Sequence, residues 1–393
     1  AKKLGIPRDE IRRRNLIQPE DMPYTRPLAS RADPSIVIDE ANFPKCMETA
    51  LEVSDWAGFP ARQAAAAAEG RKLGIGLAVY LKGSGRGPFE AATVRVGPSG
   101  KVSVISGVSA IGQGTRTMLA QIVAQSLGVD MADIDVVIGD TSTIPYGMGA
   151  ASSRQTVTAG SSAQAAAVEV REKALRVAAH ILEASEEDLE ISDGRVNVKG
   201  VADLSVGLGE IATQLAGAAT GFALPAGETP GLEAHMAVQI DGLAFSNGAH
   251  VAEIEIDTGT GDIRILNYVI AHDCGVMVNP LVIDGQVTGG AAHGIGFAMY
   301  EKMIWDDQAQ PQSTNLAEYL IPGATEVPNI KIEHIVVPSS QNPLGVKGVG
   351  ESGLVPVPAA IASAVDDALS GSDCRITQIP ISPTDILGAV AGI

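Results

Sequence analysis

Three glycine-rich loops, each running directly into a stretch of helical character, constrain this chain more than any other feature. They are Gly112-Gln113-Gly114-Thr115, Gly147-Met148-Gly149-Ala150-Ala151-Ser152-Ser153-Arg154 and Gly345-Val346-Lys347-Gly348-Val349-Gly350-Glu351-Ser352-Gly353. Glycine lets backbone come close to a ligand. A helix N-terminus adds unpaired N–H groups at the positive end of its dipole, which suits a phosphate or pyrophosphate. In the first loop the Gln113 amide can donate and accept at once. In the second, Ser152 and Ser153 bring hydroxyls and Arg154 a guanidinium, making a second anion cradle. In the third, Glu351 reads as a lone carboxylate at the mouth of an apolar loop, a setting in which desolvation favours general-base work. Each loop also has a plainer reading: a turn with a Thr N-cap, a Ser-type helix cap, and an acid complementing a helix dipole.

A fourth segment runs from His272-Asp273-Cys274-Gly275 through Asn279-Pro280 to Asp284-Gly285-Gln286. Its first three residues suggest a metal, but consecutive strand residues point to opposite faces and cannot form one tetrahedral set. The other histidines make no HxH or HExxH spacing. No protein-ligated metal is expected.

The 393 residues are 45% hydrophobic and include 44 Gly and 22 Pro, a loop-rich globular composition with ample core material. The chain opens on Ala1 with helix already under way and reads as a piece of something longer. Residues 1–60 form a lead-in: a helix to about residue 16, a coil punctuated by Pro19, Pro23, Pro27 and Pro34, and a helix near 43–54. The remainder, 61–393, reads as one domain of two subdomains, about 61–245 and 246–393. Strands are expected near 74–80, 93–96, 102–107, 134–138, 251–256, 263–272 and 330–337, with a hairpin over 190–198. Helices are expected near 115–127, 155–183, 281–300 and 355–369. Residues 215–247, rich in Gly, Ala and Pro, read as loop or insertion. Hairpins mixed with strand–loop–helix units indicate an α+β (mixed α/β) fold with packed helices rather than a doubly wound sheet.

Charge and cysteine exclude several classes. The net charge of −18 would repel a phosphate backbone, so no nucleic-acid partner is expected. The short basic cluster Arg12-Arg13-Arg14 reads as a solvated or subunit-contacting helix face. No apolar run reaches the ~20 residues of a membrane span. Cys46, Cys274 and Cys374 are too sparse for an iron–sulfur cluster and fit a reducing cytoplasm.

Taken together, the motifs resemble the molybdopterin-binding large subunit of the xanthine oxidase family, the molybdenum hydroxylases, and in particular its bacterial carbon-monoxide-dehydrogenase-like branch. The matching pieces are GAHVAEIEIDTGTGDIRILNYVIAHDCGVMVNPLVIDGQVTGGAAHGIG, NPLGVKGVGESG, PAAIASAVDDAL and, upstream, AIGQGTRTMLAQIVAQSLGV. The lead-in, LGIPRDEIRRRNLI then DMPY, looks like the family's link between two molybdenum domains. The resemblance covers nearly all of the chain but only the C-terminal half of the family's subunit. It implies a second chain carrying the N-terminal half.

The resemblance further implies molybdopterin, in its cytosine dinucleotide form, with molybdenum held by the pterin dithiolene. It assigns Glu351 as the general base that takes a proton while water-derived oxygen attacks an electron-poor carbon. It places Gln113 near the metal or pterin, and Gly112, Gly114 and Thr115 against the pterin or phosphates. Ser152, Ser153 and Arg154 would bind the pterin or dinucleotide. Asn279, Asp284 and Gln286 would line its nucleotide end, with Lys347, Gly348 and Gly350 around the base. A two-iron–two-sulfur subunit and an FAD subunit would take the electrons. An N-heterocycle, an aldehyde and carbon monoxide all stay open as substrate. Two other readings compete: an amidase-like Ser hydrolase, suggested by SSRQTVTAGSS but lacking an upstream Lys motif, and a cofactor-free assembly subunit.

Overall fold

The computed structural model describes all residues except 27–35, 88, 145, 202, 218–221, 371–375 and 392–393. Pro27, Pro34 and Cys374 lie outside the described residues. The lead-in contains a short helix α1 (Arg8–Arg13), a two-stranded ribbon of β1 (Tyr24–Arg26) and β2 (Ile36–Ile38), and α2 (Phe43–Val53), which starts on an Asn42 side-chain cap. Next come α3 (Phe59–Ala68) and a long strand, β3 (Lys72–Ser84).

The following segment builds a first layer. It comprises β4 (Ala91–Val96), β5 (Val102–Ser106), α4 (Thr115–Leu127), β6 (Ile134–Ile138) and α5 (Ser161–Leu182). It continues with β7 (Leu189–Ser192), β8 (Arg195–Val198), β9 (Ser205–Gly207), α6 (Leu208–Leu215) and β10 (Leu232–Ala237). The sheet order is β10-β4-β5-β6, with β7-β8-β9 as a separate small sheet. Val94, Val102 and Val104 pack with Leu119, Val123, Ala163, Ala167 and Val170 into one buried cluster. The helix expected over 155–183 opens as a π-turn, Thr156–Gly160, before α5 begins. The loop expected over 215–247 is corrected: β10 pairs with β4 along six residues. Its polar outward positions, Glu233 and His235, hide the alternation among neighbouring Gly and Pro.

The second layer has β11 (Ala244–Ile256), β12 (Ile263–Asp273), α7 (Pro280–Met299), β13 (Ile330–Ile335), α8 (Val357–Ala368) and α9 (Pro383–Ala391). Its order is β13-β12-β11-β3. Thus β3, far earlier in the chain, joins this sheet by pairing with β11 from Lys72↔Ile256 to Ser84↔Ala244. The expected boundary near residue 245 is therefore crossed by a strand. α7 and α8 cover one face of the sheet, and α2 and α3 the other. β11 is buried on both faces, which is why it reads weakly as an alternating strand. α8 lies directly on β3. A Cβ at Gly74 would sit 2.0 Å from the Ala364 carbonyl, and one at Gly76 2.0 Å from that of Ala360. Both sheets are mixed, since β5–β6 and β12–β13 are parallel and the remaining pairs antiparallel.

Of the basic cluster, Arg14 stays exposed and Arg13 half-exposed beside Glu10 and Glu48, whereas Arg12 turns inward. β3 is an edge strand, and Arg8 and Arg12 donate to its Ile75 and Leu77 carbonyls at 2.7 and 2.8 Å. Arg8 also pairs with Asp367 of α8 at 2.8 Å. Covering exposed carbonyls is one way a protein blunts a sheet edge.

Candidate active site

Two parallel crossovers aim their loops at one place. The loop after β5 leads into α4, and the loop after β12 leads into α7. In such units ligands sit at the carboxyl ends of the strands. The loops 146–156 and 343–353 meet them there, around a cleft of about 390 Å³. Its wall is largely apolar (Ile111, Met118, Val276, Val278, Val282, Ile283, Val349). Of the expected site residues, Gln113, Thr115, Ser152, Ser153, Arg154, Asn279, Gln286, Lys347, Gly348, Gly350 and Glu351 line it.

The first loop is held by a residue that the sequence did not single out. Gln155 accepts from Gln113 Nε2 at 2.8 Å and from the Thr115 hydroxyl at 2.7 Å, and donates to the Ser109 carbonyl at 2.8 Å. Gln113 Oε1 in turn accepts the Ile111 N–H at 2.7 Å. α4 starts at Gly114 (φ +78°) without a side-chain cap, which leaves its first N–H groups without a side-chain acceptor, and Thr115 of its first turn lines the cleft. Gly112 and Gly114 are not among the lining residues; both take positive φ, +104° and +78°. Asn279 caps α7 through the Val282 N–H at 3.0 Å.

Three expected contacts are redirected. The Arg154 guanidinium is already committed to a carboxylate of the protein. It is buried, pairs with the fully buried Glu90 and donates to the Arg86 and Phe89 carbonyls at 2.6 and 3.1 Å. A buried charge is tolerable only when so paired. Lys347 is likewise turned inward, 2.6 Å from Asp273 Oδ2 and 2.8 Å from the Glu40 carbonyl. Asp284 does not line the cleft; its carboxylate meets His334 Nε2 at 2.9 Å.

Glu351 stands at the cleft with 40% of its side chain accessible, and it is not a lone carboxylate. Lys82 of β3 forms an ion pair with it, and the Ser153 hydroxyl donates to it at 2.8 Å. Its loop is tightly fixed. A Cβ at Gly348 would lie 2.5 Å from Ser153 Cβ, Ser153 O and Ser84 Cβ, and one at Gly353 would lie 2.0 Å from the Val287 carbonyl of α7.

His272 and Asp273 face opposite sides of β12, as strand geometry requires. Asp273 joins Lys347, while His272 Nε2 meets His334 Nδ1 at 2.9 Å. Burial raises the Asp273 carboxyl, against the pull of Lys347. Burial pushes the Cys274 and Cys46 thiols up to about 12, so neither is a ready nucleophile. Among the described residues no group of three or more His, Cys, Asp or Glu could hold a metal ion.

Burial also depresses the imidazoles of His250 and His272 to about 3, with smaller contributions from His272 on His250 and from His334 on His272. An unfolded imidazole takes a proton below about 6.5, whereas these folded ones do not. Their contribution is therefore fully present above pH 6.5 and is lost as pH falls toward 3. We expect the unfolding free energy from urea titration, and with it the midpoint, to drop steadily from pH 6.5 to 4.5, the free energy by roughly 1 kcal/mol per pH unit for each group. A flat midpoint across that window would show both rings charged inside the fold.

Comparison with known proteins agrees with this geometry. The family profile described as "Molybdopterin cofactor-binding domain" matches residues 49–328. Over 392 residues the chain is 38% identical to the 6-hydroxypseudooxynicotine dehydrogenase complex subunit gamma of Paenarthrobacter nicotinovorans, covering 99% of this chain and 48% of that one. It is 34% identical to the nicotine 6-hydroxylase large subunit of the same organism, covering 100% and 48%. Among solved structures, quinoline 2-oxidoreductase from Pseudomonas putida 86 superposes with a TM-score of 0.90 at 37% identity, covering 100% of this chain and 50% of that one. The Cu,Mo-CO dehydrogenase does so with a TM-score of 0.90 at 31% identity, covering 100% and 50%. The chain spans about half the length of the curated relatives it matches. It belongs to the molybdopterin cofactor-binding domain family of the molybdenum hydroxylase large subunits.

Proposed function

We propose that this chain is the C-terminal half of the catalytic subunit of a molybdenum hydroxylase that oxidises an electron-poor carbon of an N-heterocycle. The reading rests above all on Glu351, which stands at the edge of a cleft walled by the Gln113 and Ser152-Ser153 loops and by Gln286 of α7. The cleft suits the cofactor. Its volume lies within the roughly 300–1,000 Å³ of small-molecule sites, its wall is apolar with a few placed polar groups, and Thr115 in the first turn of the uncapped α4 lines it. Since no protein metal cluster exists among the described residues, molybdenum here would take its ligands from the pterin dithiolene.

When bound, the cofactor supplies the two-electron redox chemistry. The chain's own residues place it and move one proton. Gly112, Gln113, Gly114 and Thr115 hold the pterin or phosphates through backbone and amide groups. Ser152 and Ser153 add hydroxyls, with Arg154 fixing their loop through Glu90. Asn279 and Gln286 border the nucleotide end, for which the cytosine dinucleotide form is the candidate. Asp284 stands behind them on α7. Lys347, Gly348 and Gly350 set the path of the base loop. Glu351 takes the proton released as water-derived oxygen bonds to carbon.

An N-heterocycle is favoured because the names of the relatives given above at 34–38% identity include nicotine and quinoline. The residues that correspond to the other half of the relatives' large subunit would complete the site. A two-iron–two-sulfur subunit and an FAD subunit would receive the electrons. Among the described residues no helix is long and apolar enough to cross a membrane, and with two buried free thiols we place the complex in the cytoplasm. Metal and pterin analysis of the purified complex tests the proposal. We expect stoichiometric molybdenum and a cytosine nucleotide on hydrolysis. A complex with neither molybdenum nor pterin would return the chain to the assembly-subunit reading.

A further inference from the structure

β3 grips the base loop at two points. Ser84 Oγ accepts the Gly348 N–H at 2.7 Å and donates to the Ala244 carbonyl at 2.7 Å. Two residues earlier, on the same side of the strand, Lys82 reaches Glu351, with 15% of its side chain accessible. Both contacts on the carboxylate, from Lys82 and from the Ser153 hydroxyl, fall on Oε2. Neither of them falls on Oε1. The last torsion of a glutamate is broad and roughly two-fold, so a carboxylate has no preferred orientation of its own and must receive one from its neighbours. The other cations near the loop are committed elsewhere, Lys347 to Asp273 and Arg154 to Glu90. Gln286, facing from α7, is neutral.

Resting on the reading of Glu351 as general base, we propose that Lys82 is its positioning residue. By holding Oε2, the ammonium fixes the plane of the carboxylate and presents Oε1 to the substrate side of the cleft. Lys82 itself touches no reacting atom.

The test is Lys82→Met in the assembled complex. Misplacing a reacting group by about 1 Å costs on the order of 10²-fold, so kcat should fall about 10- to 100-fold. KM should change little, and molybdenum and pterin content should match the parent. In a Glu351→Gln background the same substitution should bring no further loss, because nothing is left to position. The carboxylate infrared band assigned to Glu351, identified by its disappearance in Glu351→Gln, should shift in Lys82→Met even before turnover. Parental turnover with an unmoved band overturns the proposal, and so do losses that multiply across the two substitutions. If Lys82→Met assembles without molybdenum, Lys82→Gln, which keeps a donor but not the charge, decides. A lowered kcat at full metal content supports the proposal, and parental kcat overturns it. Failure of the base reading looks different, since Glu351→Gln itself would then turn over normally.

Discussion

Glu351→Gln lowers turnover by about 10²- to 10⁴-fold, the usual contribution of a positioned general base, while molybdenum and pterin content stay at the parental level. The amide is isosteric and keeps an oxygen for the Ser153 hydroxyl, while it loses the ability to take a proton and the charge that pairs with Lys82. The Gly348 and Gly353 backbone contacts that set the loop do not involve the side chain, so the cleft should keep its shape. Single-turnover reduction by substrate, compared with metal content on the same sample, measures both quantities. Near-parental reduction would remove Glu351 from the role.

Lys347→Met should be the most destabilising single change near the site. Lys347 and Asp273 are wholly buried, with side-chain accessibilities of 0% and 0%. Asp273 also accepts from Asn247 Nδ2, the Gly275 N–H and the Val337 N–H at 3.1, 2.8 and 3.3 Å. One carboxylate thus joins the ends of β12 and β13, the approach to α7 and the base loop. Removing the ammonium leaves a buried charge with neutral donors alone, a loss of about 3–5 kcal/mol. Asp273→Asn in the same chain should recover part of it, because no unpaired charge then remains. Denaturant midpoints for the two single variants and the double variant decide. Additive losses would mean the two groups do not act as a pair.

Much of this was legible in the sequence. The Gln113, Ser152-Ser153 and Glu351 loops announce themselves as contiguous runs of glycine before a helix, and the two long turns at 98–100 and 257–262 mark their hairpins. The mixed α+β class follows from the order of those elements. What local pattern could not reveal was partnership. Glu90 and Arg154 are 64 positions apart, and nothing near either predicts that the guanidinium pairs with a buried carboxylate. Lys82 looks like any polar residue at a strand end, and Gln155 like the first residue of a helix. β10 was lost among glycines and prolines. The first part of β11 was hidden because Ser246, Asn247 and Gly248 are polar or small yet fully inside the sheet. Their hydrogen bonds to other segments, rather than apolar character, keep them there.

The placement of β3 beside β11 also sets an order of events during synthesis. The strand that carries Lys82 emerges from the ribosome long before its neighbour, and Lys72 cannot meet Ile256 until well over a hundred further residues have followed. Until then its apolar side chains and backbone groups await a partner. Long-range pairings of this kind slow folding and expose unpaired strands to aggregation. The nascent chain is therefore most vulnerable in the interval before residue 256 is made, when chaperone protection of this one segment would matter most.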